Sequence, residues 1–266
     1  MYRLIAIDLD DTLLADDLSI HPENVRTLRL AKEKGVQVVL CSGRESASML
    51  RIMKELPFLE ENDYYISYNG AMVQTVSGEI LWQDKITEKS LKKMIELGRK
   101  HELIVQCYSD GLVVDTDDDR ITKYEKNTGI GSRRIDDLMN LQYSIKVLFN
   151  SEDKVKLENL KAELEQTFGE EYHYFYSKPE YLEVLYKTSN KGLAVKFLAE
   201  YLSIPAEQVI CIGDSFNDSY MIEYAGLGVA MKNANWQVQK IADVVTENTN
   251  NEGGVAEIVE KYILGS

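Results

Sequence analysis

Leu4-Ile5-Ala6-Ile7-Asp8-Leu9-Asp10-Asp11-Thr12-Leu13 opens with four apolar residues and stops at an acid. A run of that kind reads as a buried strand. Side chains alternate along a strand, so Asp8 and Asp10 are expected on the same side as the backbone leaves the sheet. Two carboxylates about 4 Å apart repel by about 4 kcal/mol at an effective dielectric of 20. A protein keeps such a pair for a cation, a shared proton, or a nucleophile with its acid/base partner. The competing reading is a solvated loop acid or a cap on the next element.

Outward from this strand, helix and strand alternate. A helix is expected from His21 to Lys34, with Pro22 in its first turn and Gly35 at its end. Val36–Cys41 reads as a second buried strand, and Ser42-Gly43-Arg44 turns the chain into a helix running to Leu56. Tyr64–Ser67 reads as a third strand before an Asn69-Gly70 turn. Such alternation predicts a parallel, doubly wound sheet. From Lys85 to Tyr186 the pattern changes. Helices over 88–101, 119–128 and 152–167 mix with strands near 103–108, 112–114, 144–149, 172–176 and 181–186, which predicts an antiparallel sheet faced by helices and inserted as a unit. After it the first pattern returns, with helices over 191–202, 216–224, 234–241 and 254–263 and strands at 209–212, 228–230 and 243–245.

The 266 residues leave one large domain or two smaller ones open, and 44% apolar content supplies a sizeable core. The net charge of −14 disfavours nucleic acid and anionic membrane surfaces as partners. An anionic substrate would need local positive charge or a metal. There is no apolar run of about 18 residues, and Met1-Tyr2-Arg3 leads into a strand rather than a signal peptide, so a soluble, cytoplasmic protein is expected. Cys41, Cys107 and Cys211 lie far apart in strand-like runs and read as buried small hydrophobes in a reducing compartment. His21, His101 and His173 are scattered. They support neither a Ser/His/Asp or Cys/His mechanism nor a histidine zinc site.

Val209-Ile210-Cys211-Ile212-Gly213-Asp214-Ser215-Phe216-Asn217-Asp218 is a second apolar strand ending in an acid. Ligands of parallel α/β sheets bind at the strand C-terminal ends. Asp8, Asp10, Ser42 and Asp214 all fall at such ends and are expected to converge there. Asp8, Asp214 and a main-chain carbonyl near Asp10 form a donor set suited to Mg²⁺; the alternative is that Asp214 and Asp218 only cap the following helix. Ser42-Gly43-Arg44 offers a hydroxyl and N–H groups for an anion, or is an ordinary strand-to-helix turn. Lys191 opens a helix, where a positive charge opposes the macrodipole; it is expected to contribute little to folding and to neutralise phosphate and carboxylates. Asp115-Thr116-Asp117-Asp118-Asp119 begins like a calcium loop, but Arg120 takes the glycine position and Lys126 the terminal glutamate position, so it reads as a solvated acidic turn. Tyr108, Tyr176 and Tyr181 are candidates to line a sugar.

Asp8-x-Asp10-x-Thr12, Ser42, Lys191 and Gly213-Asp214-x-x-Asn217-Asp218, in this order, resemble the haloacid dehalogenase-like (HAD) phosphatase superfamily. The resemblance runs through the whole chain, and the insertion after the third core strand looks like the α+β cap, of C2B type, of the Cof-like branch. Tyr68-Asn69-Gly70-Ala71, Tyr181-Leu182-Glu183-Val184, Asn190-Lys191-Gly192 and Ile222-Glu223-Tyr224-Ala225-Gly226 are similar to the YidA type of sugar phosphatases. The resemblance implies a Rossmann-like α/β core over 1–84 and 188–266 and a cap over 85–187. It implies a Mg²⁺-dependent hydrolysis of small phosphorylated metabolites, sugar phosphates foremost, with a phosphomutase or phosphotransferase on the same scaffold as the alternative. A phospho-accepting signalling domain is the rival of another class, though such modules are about half this length.

The resemblance also implies roles. Asp8 is the nucleophile and Asp10 the acid and base. Mg²⁺ is held by Asp8, the Asp10 carbonyl and Asp214, while Ser42, Gly43 and Lys191 bind phosphoryl oxygens. Asn217 faces substrate and Asp218 orients metal-bound water, with Thr12 and Asn69 in support. One departure is Asp11, which stands where many members have glycine.

Overall fold

The computed structural model describes residues 1–265. The chain forms two compact units. One comprises Met1–Glu45, Met49–Trp82 and everything from Asn190; the other comprises Gln83–Ser189 with Ser46–Ser48.

The first unit begins with β1 (Leu4–Asp8), α1 (Pro22–Glu33), β2 (Gln37–Cys41), α2 (Ser46–Met53), β3 (Tyr64–Ser67), β4 (Met72–Thr75) and β5 (Ile80–Gln83). The inserted unit follows as β6 (Ile86–Thr87), α3 (Glu88–Lys100), β7 (Ile104–Tyr108), β8 (Leu112–Val114), α4 (Asp119–Thr128), β9 (Ser132–Arg134), β10 (Tyr143–Ser144), β11 (Val147–Asn150), α5 (Lys154–Phe168), β12 (Tyr172–Lys178) and β13 (Tyr181–Tyr186). The chain returns to the first unit with α6 (Lys191–Tyr201), β14 (Val209–Gly213), α7 (Ser219–Tyr224), β15 (Leu227–Ala230), α8 (Trp236–Ile241), β16 (Val244–Val245) and α9 (Gly254–Val259).

The core sheet has the strand order β16-β15-β14-β1-β2-β3-β4-β5. β16 through β3 run parallel, and β4 turns back antiparallel on β3. β4 and β5 were not foreseen; they extend the parallel sheet with a hairpin. Strand alternation divides the core in two. Ile5, Ile7, Val38, Leu40, Ile210 and Ile212 meet Leu28, Ala31, Val255 and Ile258 of α1 and α9. Leu4, Ala6, Val39, Cys41, Val209 and Cys211 meet Ala194, Val195, Leu198 and Met221 of α6 and α7. With both faces covered, the strands must read as unbroken apolar runs. The three cysteines are buried and free.

The inserted sheet has the order β12-β13-β11-β7-β8-β9 and is antiparallel except for the β8–β9 pair, which is parallel. One strand expected over 144–149 is two. Ser144 Oγ takes the Tyr108 N–H at 2.8 Å and donates to the Lys146 carbonyl at 2.5 Å, so β10 ends there and pairs with β6 instead. The helix expected to start at Ser42-Gly43-Arg44 starts at Ser46. No helix among the described residues is long and apolar enough to cross a membrane.

Candidate active site

In the core sheet the order of the chain reverses between β1 and β14: successive strands leave β1 on one side through β2, and β14 on the other through β15. That is the switch point where parallel sheets open a crevice at their C-terminal edge. Ile7 pairs with Ile212 across it, so Asp8 is level with Gly213 and Asp214 follows one residue beyond. Oxygens of Asp8, Asp214 and Asp218 lie within 4.8 Å of one another, and all three residues are buried.

Asp8 continues the phase of Leu4 and Ala6, the face covered by α6, and Lys191 is the first residue of α6. Lys191 is wholly buried, with Nζ 2.5 Å from Asp8 Oδ1 and 2.6 Å from Asp218 Oδ1. An ammonium carries three protons, so one remains for a further acceptor. Burial alone would lower the Lys191 pKa, but Asp218 and Asp8 outweigh it and drive it up. The lysine stays charged. The Asp8 pKa also rises, well above the usual carboxylate range: burial is the largest cause, and Asp218 and Asp214 add to it while Lys191 opposes. Asp214 is raised too, chiefly by burial. The expectation that Lys191 matters little to folding is corrected here. An unpaired charge left in such a cluster costs about 3–5 kcal/mol.

Asp218 holds the arrangement. Its Oδ2 accepts the main-chain N–H groups of Asp214 and Ser215 at 3.0 and 3.1 Å while Oδ1 takes Lys191. Gly213 makes this possible, since a Cβ there would sit 2.5 Å from the Asp218 side chain. Asp214 is oriented by Thr12 Oγ1 at 3.0 Å and Ser215 Oγ at 2.7 Å. Asp218 is thus a partner of Lys191 and of the β14 turn.

The carboxylate of Asp10 is not part of this cluster. Its side chain is half exposed and gripped by Arg44, Nη2 to Oδ1 at 2.6 Å and Nε to Oδ2 at 3.0 Å. Strict strand alternation fails because the chain leaves extended geometry after Asp10. Asp11 takes φ +58°, a left-handed conformation that aspartate tolerates better than most residues and that glycine adopts freely. Arg44 as the partner of Asp10 was missed; a long basic side chain at a strand end was its only signal.

Ser42 and Gly43 form a small cradle before α2. Ser42 Oγ accepts the Arg44 N–H at 3.1 Å, its own proton has no acceptor among the described residues, and the Gly43 N–H has none either. Tyr68, Asn69 and Gly70 all have positive φ, and Asn69 Oδ1 accepts from Asn217 Nδ2 at 3.0 Å. A Cβ on Gly70 would lie 2.3 Å from the Asn190 carbonyl, so the turn packs directly against the start of α6.

Fully ionised, three carboxylates against one ammonium would leave the buried cluster at −3 + 1 = −2, a charge that burial opposes by raising the Asp8 and Asp214 pKa values. A hard divalent cation with oxygen ligands fits that deficit.

The chain belongs to the haloacid dehalogenase-like hydrolases, whose family model matches residues 5–259. It is 35% identical over 270 residues to YxeH of Bacillus subtilis (strain 168), covering 99% of both chains. It is 30% identical over 263 residues to the 5-amino-6-(5-phospho-D-ribitylamino)uracil phosphatase YcsE of the same organism, covering 98% of this chain and 96% of that protein. Among solved structures, a haloacid dehalogenase-like hydrolase from Bacteroides thetaiotaomicron matches with a TM-score of 0.90 at 32% identity, over 98% of this chain and 99% of that one. The protein is an enzyme of this hydrolase family.

Proposed function

We propose that the protein is a Mg²⁺-dependent phosphatase of small phosphorylated metabolites, sugar phosphates foremost, acting in the cytoplasm through an aspartyl-phosphate on Asp8. The observation that carries this reading is Lys191, buried between Asp8 and Asp218 with Asp214 alongside. An ammonium so placed, with one proton to spare, is built to meet an anion next to a nucleophile. YcsE, by its name, takes a phosphate from a ribityl chain, which supports a polyol phosphate as substrate class.

In the first step an Asp8 oxygen bonds to phosphorus and the substrate's alcohol oxygen leaves, taking a proton from Asp10. In the second step Asp10 removes a proton from a water molecule that attacks phosphorus, releasing phosphate and restoring Asp8. Arg44 fixes the side from which Asp10 approaches. Lys191, the Ser42 hydroxyl, the Gly43 N–H and Asn217 bind phosphoryl oxygens. Asn69 holds Asn217, Thr12 holds Asp214, and Asp218 holds Lys191. Asp8, Asp214 and the Asp10 main-chain carbonyl would hold Mg²⁺, which when bound offsets charge on the transferring group.

A panel of phosphorylated sugars, nucleotides and cofactors, assayed for phosphate release with Mg²⁺, tests the reading. Release without an acceptor sugar separates a phosphatase from a phosphomutase. Exhaustive chelation should reduce turnover by at least about 10²-fold and added Mg²⁺ should restore it; turnover that survives chelation contradicts the cation site.

A further inference from the structure

One face of the inserted sheet carries polar groups that packing does not call for. Val105, Cys107, Val147, Phe149, Leu182 and Val184 point toward α3 and α5 in an apolar cluster. The residues between them point the other way and include Gln106, Lys146, Asn150 and Glu183, all buried. Asn150 is 3% exposed, and its carboxamide makes no hydrogen bond among the described residues. It lines a cavity of about 270 Å³ together with Tyr181, Arg120, Lys123, Lys154 and Glu152. Register pairs Asn150 with Ile104, two residues from Gln106, and with Tyr181. Gln106 is fully buried, and neither polar atom of its side chain has a partner. An unmet donor or acceptor costs about 1–3 kcal/mol, a cost that the Gln106 carboxamide carries inside the sheet, whereas the Asn150 carboxamide opens on the cavity and is free to meet a ligand there.

The charges around the cavity narrow the chemistry. Arg120 is gripped by Asp118, and Lys123 faces Glu152 at 3.5 Å. Glu180 also lines the space, which limits a ligand to a single acidic group. Lys154 has no ion-pair partner among the described residues. Lys154 and Arg120 stand in the first turns of α5 and α4, where positive charge opposes the helix dipole and an anion would relieve it. A carboxamide offers a donor and an acceptor together, the complement of a hydroxyl group.

We propose that this cavity binds a small hydroxylated anion, a sugar acid or sugar monophosphate, with Asn150 taking hydroxyl groups and Lys154 the acidic group. All the residues belong to the inserted unit and none to the acidic cluster, so the proposal does not rest on the phosphatase reading.

Isothermal titration of the full chain with gluconate tests it. Gluconate should bind one to one, equally in the natural chain and in Asp8→Asn, and neutral sorbitol at least tenfold more weakly. Asn150→Asp, which keeps the shape and adds a repelling charge, should weaken gluconate at least tenfold. Lys154→Met, at an exposed position that folding does not need, should weaken it several-fold. Melting curves by circular dichroism confirm that both variants fold. Glucose 6-phosphate, titrated into Asp8→Asn to prevent turnover, identifies phosphate as the preferred acid if its Asn150-dependent binding is the tighter, and carboxylate if gluconate's is. The proposal is overturned if neither anion binds at millimolar concentration, if both variants bind like the natural chain, or if binding depends on Asp8 rather than Asn150.

Discussion

The two sheets of this protein place their polar groups differently. In the core sheet both faces are apolar, and charge appears only where strands end, at Asp8 and just after Gly213. In the inserted sheet one face is apolar, while the other carries Gln106, Lys146, Asn150 and Glu183 in mid-strand, with Lys146 and Glu183 paired at 2.9 Å. A sheet wrapped by helices on both sides has no room for an unpaired polar group within it, so its chemistry is confined to the rim. A sheet with apolar packing on one side is free to hold polar groups on the other. The rim of the first unit can therefore change chemically with little effect on its frame, whereas in the inserted unit packing and polar function share the same strands.

The most severe test of this contrast is Asp8→Asn. Phosphate release should fall by at least about 10⁴-fold while denaturant unfolding shows a chain no less stable, because one carboxylate of a repelling trio is gone. Ordinary turnover in that variant would end the assignment of the nucleophile. Lys191→Met sharpens the contrast by showing where the rim does support the frame. Turnover should fall by about 10²-fold or more, and unfolding free energy by about 3 kcal/mol, since Asp8 and Asp218 lose their counter-charge. A stability equal to that of the natural chain would mean that Lys191 is not the neutralising group of the cluster.

On the inserted unit, Gly98→Ala probes the apolar face alone. Its Cβ would lie 2.6 Å from the Phe149 ring and 2.7 Å from Val105, an overpacking that should cost about 1–3 kcal/mol in chemical denaturation. No cost would show that α3 sits loosely on its sheet. The smallest effect concerns Asp118, whose carboxyl is pulled down to about 2 by Arg120 and by the α4 N–H that it caps. A carboxylate with a lowered folded-state pKa stabilises above its unfolded value and loses that contribution as pH falls through the folded one. The α4 cap should hold down to pH 4 and fray between 4 and 2, seen as an NMR titration of Asp118 with a midpoint near 2. A midpoint near 4 would remove the ion pair.

Much of this was readable from one dimension. Unbroken apolar runs at 4–7, 38–41 and 209–212 announce parallel strands because only helices on both faces permit them, and the acids after the first and last of these announce the rim. The hairpin β4–β5 escaped notice because its edge strand, Ile80–Gln83, alternates between exposed and half-buried positions rather than forming an apolar run. The parallel β8–β9 pair was hidden in Ser132-Arg133-Arg134, three mostly exposed polar residues that look like loop until a neighbouring strand claims their main chain.

At the sheet edge, spacing and residue type placed Asp8 and Asp214 at strand ends and Lys191 at a helix start, where the structure has them, since an element's end fixes where a side chain begins. Where a long side chain finishes is decided by whatever lies within reach across the fold. That is why Asp10 faces Arg44 rather than Asp8, and why Asp218 holds a lysine 27 residues back in the chain. Local order along the polypeptide determined the strands, the helices and the acids at their ends; pairing between charges distant in sequence was left to the tertiary structure, because Coulomb attraction and burial depend on distance through space and not on position along the chain.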